Sequence, residues 1–325
     1  MNSVRSFAAL ALLAPAALLA QPLQPVAEIQ LPGVKGRIDH FGFDAAGQRL
    51  FVAALGNDSV EVIDLKANRR LRSLQGFGEP QGIQHVPGAN RLYVANGSAS
   101  RVDILDATSL ARLKRIDGLE DADNVRYDQA AGRIYVGYGS GALRVLDAAS
   151  GESLGDIPLA GHPESFQLEQ RGTRIFVNVP SARHVAVADR ATKRVIATWE
   201  LPGVAGNFPM ALDEASRRLF VGARNPAALV VYDIDTGKVV AKLDIGGDTD
   251  DLFYDAQAKR LYVICGEGGV NVFSQRDADH YAALAPLKTG ARARTGLFVA
   301  ADRALYVAQP ATGAGAARIL RYRAE

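Results

Sequence analysis

At one position of a repeated sequence pattern, the side chain differs from copy to copy. Several of these side chains could bind a cation or transfer a proton. Each lies twelve residues before an aromatic residue shared by seven similar segments: Asp39, Gln81, Asp123, Glu164, Phe208, Asp250 and Arg294. The next residues in the same segments are His40, Gly82, Asn124, Ser165, Pro209, Asp251 and Thr295. Carboxyl groups crowded into one funnel have raised pKa values, which suits a general acid or base near neutral pH.

The shared segments predict the elements that position these side chains. The segment Arg49-Leu50-Phe51-Val52-Ala53 returns six more times, and the aromatic residues of successive copies are 41 to 44 residues apart: Phe51, Tyr93, Tyr135, Phe176, Phe220, Tyr262 and Tyr306. This interval is typical of one four-stranded propeller blade. The sequence therefore predicts an all-β, seven-bladed β-propeller with four antiparallel strands per blade, forming one domain over residues 21–325.

Each repeat divides into four short strands, named A to D from the channel outward. In the first repeat they are predicted at 41–44, 49–53, 60–65 and 69–74, because apolar alternation there is bounded by turn residues. Several C strands end in an aspartate that is expected to accept backbone N–H groups in the next turn. In the sixth repeat the D strand is predicted at 280–287, and the seventh repeat lacks one. The spare segment 26–31 is predicted to fill that place and close the ring, which removes an open sheet edge.

The first twenty residues are predicted to be a secretory signal peptide. Arg5 precedes an apolar run from Phe7 to Leu19, and Ala20 offers a small residue for cleavage. The run is too short to span a bilayer, so the pattern predicts a periplasmic or secreted protein without a membrane span. Cys265 is the only cysteine, which rules out an internal disulfide, and it is expected to be an inert core thiol.

Charge argues against a nucleic-acid partner. The chain holds 37 basic and 35 acidic residues, and loss of Arg5 with the signal peptide leaves a net charge of +1. Binding a nucleic-acid strand needs a basic groove with stacking aromatic residues, whereas the variable ring is acidic. We expect a monomer that binds a small polar molecule or a protein partner.

Two interpretations of the variable ring stay open. Structural positions keep their residue type from blade to blade, so the mixed ring favours a binding site tailored at the channel mouth. The candidate ligand-binding residues are Asp39, His40, Gln81, Asp123, Asn124, Glu164, Asn207, Phe208, Asp250, Asp251 and Arg294. In the alternative interpretation the charged side chains only pair with one another, with Arg294 placed between Asp250 and Asp39.

Two acidic loops, 120–124 and 248–251, present clusters of oxygen ligands. Such clusters suit Ca²⁺ or Mg²⁺ better than zinc. The candidate metal ligands are Asp123, Asn124, Glu164, Asn207 and Asp250, and His40 and His162 could join them. No HExxH, GxSxG or Walker motif occurs, so the sequence identifies no catalytic residue and leaves enzymatic activity open.

The RLYVAN segment at 91–96, the preceding Pro80-x-Gly82-Ile83 and the C strands ending in aspartate resemble the YVTN-repeat, YncE-like seven-bladed propellers. This resemblance covers residues 26–325 and implies the fold; any activity carried over from it is an analogy. The funnel also resembles that of the six-bladed gluconolactonase propellers, which hold a divalent cation with one Glu, two Asn and one Asp. Glu164, Asn124, Asn207 and Asp250 supply the same residue types here, although blade number and order differ.

These observations predict a secreted, periplasmic propeller that binds a small polar ligand or a protein partner at the acidic mouth of its channel. The alternative is a divalent-cation-dependent lactonase or lyase that uses the same site, with the cation polarising a carbonyl group.

Overall fold

Seven antiparallel sheets surround a central channel, which confirms the predicted propeller. The computed structural model describes residues 21–313 and 315–325, and the predicted signal peptide lies outside this range. The first three blades contain, from the channel outward, β2 (Phe41–Asp44), β3 (Arg49–Ala54), β4 (Ser59–Asp64) and β5 (Arg69–Gln75); β6 (Pro80–Val86), β7 (Arg91–Asn96), β8 (Arg101–Asp106) and β9 (Arg112–Asp117); and β10 (Val125–Asp128), β11 (Arg133–Tyr138), β12 (Ala142–Asp147) and β13 (Ser153–Pro158).

The next three blades follow the same order. They contain β14 (Phe166–Leu168), β15 (Arg174–Val179), β16 (His184–Asp189) and β17 (Arg194–Glu200); β18 (Ala205–Asp213), β19 (Arg218–Asn225), β20 (Ala227–Asp233) and β21 (Val239–Asp244); and β22 (Thr249–Asp255), β23 (Arg260–Cys265), β24 (Gly269–Gln275) and the short pieces β25 (Tyr281–Ala283) and β26 (Leu287–Lys288). Short 3₁₀ turns occur at 55–57, 87–89, 180–182 and 300–302. Among the described residues, none of the helices combines the length and apolar character needed to cross a bilayer.

The seventh blade joins the two ends of the described chain. It contains β27 (Gly296–Val299), β28 (Ala304–Gln309), β29 (Arg318–Ala324) and, as its outer strand, β1 (Leu23–Gln30). Strand β1 runs antiparallel to β29 with Ile29 opposite Ile319. The prediction that the N-terminal strand closes the ring is therefore confirmed, and β29 has a hydrogen-bonded neighbour on each side.

The outer strand of blade six differs from the sequence prediction of one strand over 280–287. It is broken into β25 and β26, and both pieces pair with β24. Pro286 lies in the break. Because proline has no N–H group to donate to the ladder, the strand is interrupted before Leu287.

The repeated segment builds the packing between blades. Its aromatic side chains are buried, with Phe51, Phe176 and Phe220 fully enclosed. Its arginine also links blades: Arg49 donates to Asp44 at 2.6 Å and to the carbonyl oxygen of Ala107 in the next blade at 2.8 Å. These contacts hold the inner strands, and the residues at their ends, in fixed positions around the channel.

The aspartates that end the C strands have the predicted structural role. Asp106 Oδ1 accepts the N–H groups of Thr108 and Ser109 at 3.1 and 2.7 Å, and Asp147 makes the same contacts with Ala149 and Ser150. These hydrogen bonds lower the pKa values of both aspartates. The aspartates stabilise turns far from the channel mouth.

Candidate functional site

A β-bulge near the start of the inner strands places consecutive residues at the mouth. Asp39 donates its N–H to the carbonyl oxygen of Ala53 while Ala53 donates to His40, so two residues lie opposite one. Blades three and four repeat this at Gly137 and Asn178, and β6, β18 and β22 shift register near the same point. A bulge redirects side chains that simple alternation would send to opposite faces. It therefore brings unlike residues together at the mouth.

The mouth is a cavity of about 200 Å³. It contains seven of the predicted ligand-binding residues together with four other charged residues. The predicted ones are His40, Gln81, Asp123, Glu164, Phe208, Asp250 and Arg294; the others are Arg37, Asp121, His162 and Arg224. The cavity has two chemically different halves, one containing the arginines and one mainly acidic.

In the arginine half, carboxylates and guanidinium groups already pair. Asp250 accepts from Arg224 Nη2 at 2.6 Å and lies 2.9 Å from Arg294 Nε, and Arg294 Nη1 donates to Asp248 at 2.8 Å. The Arg224 guanidinium also stacks on Phe208, with its Cζ 3.4 Å from the ring centroid. The ion-pair interpretation thus describes this half, although Arg294 pairs with Asp248 and Asp250 and not with Asp39.

The acidic half consists of Gln81, Asp121, Asp123, His162 and Glu164. Asp123 is 6% exposed and its buried Oδ1 has no hydrogen-bond partner. Within residues 21–313 and 315–325, no basic nitrogen lies within 4.0 Å of the Asp123 or Glu164 carboxylates. Potential ligand atoms of Asp123, His162 and Glu164 lie within 4.8 Å of one another.

The backbone holds the His162 ring in place. Its Nδ1 lies 2.8 Å from the carbonyl oxygen of Gly139, which can only accept, so Nδ1 carries the proton in that contact. In the neutral ring the lone pair is then on Nε2. A histidine held in this way is typical of metal-binding sites, where a second ring N–H anchors the ligand.

Electrostatics separate the acidic half from ordinary surface carboxylates. Burial and the neighbouring Glu164 raise the pKa of Asp123, and burial together with Asp250 raises the pKa of Glu164. Burial also raises the pKa of Asp250, although Arg224 and Arg294 act in the opposite direction. The mouth therefore holds carboxyl groups able to take or release a proton nearer neutrality than free side chains.

Four predicted residues lie elsewhere. Asp39 is fully buried beneath the mouth and accepts from Arg37 Nη2 at 2.7 Å. Asp251 contacts His40 Nδ1 at 3.2 Å, further along the channel. Asn124 is buried, and Asn207 is buried where it donates to Asn178 Oδ1 and the His184 carbonyl oxygen. Neither asparagine lines the mouth cavity, so the structure does not bring the five predicted metal ligands together there.

The sequence argument missed Arg37 and Arg224 as mouth residues. Arg37 lies two residues before the variable ring, and Arg224 lies near the end of β19, where strand B turns toward strand C. Counting back from the shared aromatic residue reaches two consecutive positions in each blade and leaves out the loops that meet them. The expectation that loops gather at this face could have pointed to both residues.

A larger concavity of about 580 Å³ lies at the opposite ends of the inner strands, near the turns of blades three and four. Its charged groups are already engaged: Arg190 contacts Asp128, Arg133 lies 3.0 Å from Asp147, and Lys193 donates to the Leu154 carbonyl oxygen. Size alone therefore does not make it the better candidate, because each charged side chain among its described lining residues already has a polar partner.

Cys265 fits the prediction of an inert thiol. It is buried in β23, and burial raises its pKa to about 12.

Comparisons with known proteins support the fold. No protein-family model and no curated protein matches the chain. A chain of the hydrazine synthase from Kuenenia stuttgartiensis is similar in structure, with a TM-score of 0.74 and 16% identity, over 85% of this chain and 94% of that one. A chain of a mitotic checkpoint complex has a TM-score of 0.78 and 14% identity, over 99% and 98% of the two chains. At these identities the likeness shows the β-propeller fold alone.

Proposed function

We propose that the protein binds a small polar ligand at the channel mouth, with the acidic half receiving a positively charged group. The observation that carries this proposal is Asp123, whose buried Oδ1 lacks a hydrogen-bond partner. A buried carboxylate without a partner destabilises the folded protein, so a ligand that supplies one is favoured there. The volume of about 200 Å³ suits a ligand smaller than a typical drug.

Three further assignments belong to this proposal. A basic loop of a protein partner is the alternative occupant of the mouth. The RLYVAN segment supports membership of the YVTN-repeat propellers, and the basic and apolar N-terminal pattern supports export to the periplasm. Intact-mass measurement of protein from its native host would detect cleavage after Ala20, whereas retention of residues 1–20 would contradict export by this route.

Ligand binding can be tested by thermal shift with small amines such as ethanolamine and 1,3-diaminopropane. Wild-type protein should unfold at a higher temperature with at least one amine. Asp123→Asn and Glu164→Gln should weaken that binding by about tenfold or more, because a charge-assisted hydrogen bond is lost. Glu152→Gln, at an exposed position outside the channel, is the matched control. Equal shifts in all four proteins would contradict binding at the mouth.

A metal-dependent lactonase or lyase is the second candidate function, and one specific observation favours it. Potential ligand atoms of Asp123, His162 and Glu164 lie within 4.8 Å of one another, which is a donor set of two oxygens and one imidazole nitrogen. Asp250 is neutralised by Arg224 and Arg294, and Asn207 is bonded elsewhere. Because one of the three donors is an imidazole, this set favours Zn²⁺ or Mn²⁺ over Ca²⁺ or Mg²⁺.

In that function, Asp123, His162 and Glu164 would hold the cation, which would supply a Lewis acid for a substrate carbonyl group. The residues of the chain itself would orient the substrate, since Arg224 and Arg294 lie across the same cavity. Elemental analysis of purified protein and hydrolysis of a lactone panel, with and without chelator, test this candidate. His162→Gln should lower the metal content, whereas the exposed control His280→Gln should not. A metal-free protein with no affinity for added Zn²⁺ or Mn²⁺ would contradict it.

A further inference from the structure

A second cavity lies deeper in the channel than the mouth and is named here the inner chamber. Its volume is about 220 Å³. Residues farther along the inner strands line it, and its polar side chains are His40, Gln84, Arg126, Ser165, Gln167 and Asp251. Gln84, Arg126 and Gln167 occupy the same position in blades two, three and four, two residues beyond the bulge pair. Alternation along a strand turns this position toward the channel.

Arg126 is the distinctive group of the chamber. Its Nη1 donates to the Val125 carbonyl oxygen at 3.0 Å, its Nη2 donates weakly to Ser165 Oγ at 3.4 Å, and its Cζ lies 5.6 Å from the Phe166 ring centroid. In the described part of the chain, no carboxylate oxygen lies within 4.0 Å of this guanidinium. Most of its five N–H donors are therefore available to a ligand.

Among the described residues, Arg126 is the charged group of the chamber that has no ion-pair partner. Asp251 lies 3.2 Å from His40 Nδ1 and accepts the Gly296 N–H at 2.8 Å, so its oxygens are already engaged. The Arg126 side chain is half-buried, and its guanidinium donates there only to the Val125 carbonyl oxygen and the Ser165 hydroxyl. A half-buried charge in this position is stabilised by a ligand of opposite charge.

The acceptor groups restrict the ligand further. Gln84 and Gln167 donate their amide N–H groups to the carbonyl oxygens of His85 and Met210, each at 2.8 Å. Within the described residues, their amide oxygens accept no hydrogen bond and so remain as acceptors for a hydroxyl group. The rest of the wall is largely apolar and includes Met210 and Leu297.

We propose that the inner chamber binds a small hydroxycarboxylate whose carboxylate pairs with the Arg126 guanidinium and the Ser165 hydroxyl. A planar guanidinium binds a carboxylate through two parallel hydrogen bonds. One guanidinium without an ion-pair partner matches one carboxylate group. A phosphate dianion would bring a second negative charge near Asp251 and is disfavoured.

Calorimetric titration with lactate, propionate and inorganic phosphate tests this assignment. Wild-type protein should bind lactate, bind propionate more weakly because it lacks the hydroxyl group, and bind phosphate most weakly. Arg126→Met should weaken lactate binding by about tenfold or more. Arg321→Met is the matched control, since Arg321 also packs over an aromatic ring, Tyr306 at 5.7 Å, but lies outside the channel.

Thermal unfolding without ligand distinguishes a ligand-binding arginine from a structural one. Arg126→Met should unfold at the same temperature as wild type or higher, because an unpaired, half-buried charge is removed; loss of a structural arginine would lower the unfolding temperature. If the methionine variant does not fold, Arg126→Lys tests lactate binding in its place, since lysine keeps the charge but cannot form two parallel hydrogen bonds to a carboxylate. Undetectable lactate binding to wild type, unchanged binding to Arg126→Met or preference for phosphate would each overturn the proposal. Neither Arg126 nor Arg321 lines the mouth cavity, so the outcome is separate from that at the mouth.

Discussion

The two ends of the inner strands carry the same residue types in opposite electrostatic states. Four of these strands have a carboxyl residue at or directly beneath the mouth and another five residues later at the far end: Asp39 and Asp44, Asp123 and Asp128, Glu164 and Glu169, and Asp250 and Asp255. At the far end, Glu169 accepts from Arg174 at 2.6 Å, and Arg174 lowers its pKa. At the mouth, burial raises the pKa values of Asp123 and Glu164.

This difference teaches that position along the strand decides whether a carboxylate is structural. At the far end of blades one and four, the first residue of the following strand is an arginine that reaches back, as Arg49 does to Asp44 and Arg174 does to Glu169. Asp128 and Asp255 contact other arginines, Arg190 and Arg303. The mouth has no such repeated partner, because the loops that meet there differ among blades. Carboxylates without a built-in partner are the ones that a ligand can stabilise.

The largest effect is expected from Glu169→Gln at the far end of β14. This change removes the charge that Arg174 and Arg217 share, at 2.6 and 3.3 Å, and should lower the free energy of unfolding by about 2 kcal/mol at neutral pH. Urea denaturation measures it. Glu164→Gln, the same substitution at the mouth end of the same blade, should cause no loss. Equal losses in the two variants would remove the distinction between the ends.

The pH dependence of this loss follows from the lowered pKa of Glu169. Its stabilising contribution is present above the carboxyl pKa of the unfolded chain and disappears as the pH falls through the lower folded-state value. The difference in free energy of unfolding between wild type and Glu169→Gln should therefore become smaller at acidic pH. A difference that stays constant from neutral to strongly acidic pH would show that charge is not its source.

A smaller effect of opposite sign is expected from Asp123→Asn. The raised pKa of Asp123 means that the folded state favours the protonated acid, so its contribution is complete below the ordinary carboxyl pKa and is lost as the pH rises through the folded-state value. Asparagine mimics the protonated form. The variant should match wild type near pH 4 and be more stable by about 1 kcal/mol near pH 8. Thermal melting curves measured from about pH 4 to pH 8 test this prediction. A stability difference between Asp123→Asn and wild type that did not increase with pH would contradict it.

The fold could be predicted from sequence because the apolar segment that builds each blade is repeated. Seven copies of one apolar segment predict seven blades, and the missing last strand predicts closure by β1. The break in blade six was missed because the pattern of apolar residues continues through Pro286, although proline cannot join the ladder. The repeat pattern therefore predicts the strands that all blades share but does not predict a local interruption in one blade.

The candidate site was only partly predictable, for the converse reason. Asp123, Glu164 and Asp250 were found because they break the repeat at one position. Asn207 shares that neighbourhood in sequence but donates into the space between blades four and five, which residue type does not reveal. Arg126 was missed because the counting stopped at the bulge. Continuing the two-residue alternation along β10 would have placed it in the channel.

The smallest effect is expected at Asp250, which combines features of both ends. It lies at the mouth and burial raises its pKa, yet Arg224 and Arg294 contact it at 2.6 and 2.9 Å. Asp250→Asn loses these ion pairs but also removes a buried charge. The arginines are not left alone, since Asp248 lies 2.8 Å from Arg294 and 3.9 Å from Arg224.

These opposing contributions should nearly cancel, so we expect Asp250→Asn to change the free energy of unfolding by no more than about 0.5 kcal/mol. Urea denaturation at neutral pH measures this change, and Asp123→Asn and Glu169→Gln are measured in the same way for comparison. A loss as large as that of Glu169→Gln would mean that pairing alone stabilises a carboxylate, wherever it lies on the strand. A gain equal to that of Asp123→Asn would instead mean that burial at the mouth dominates, and the arginines there would then be available to bind a ligand.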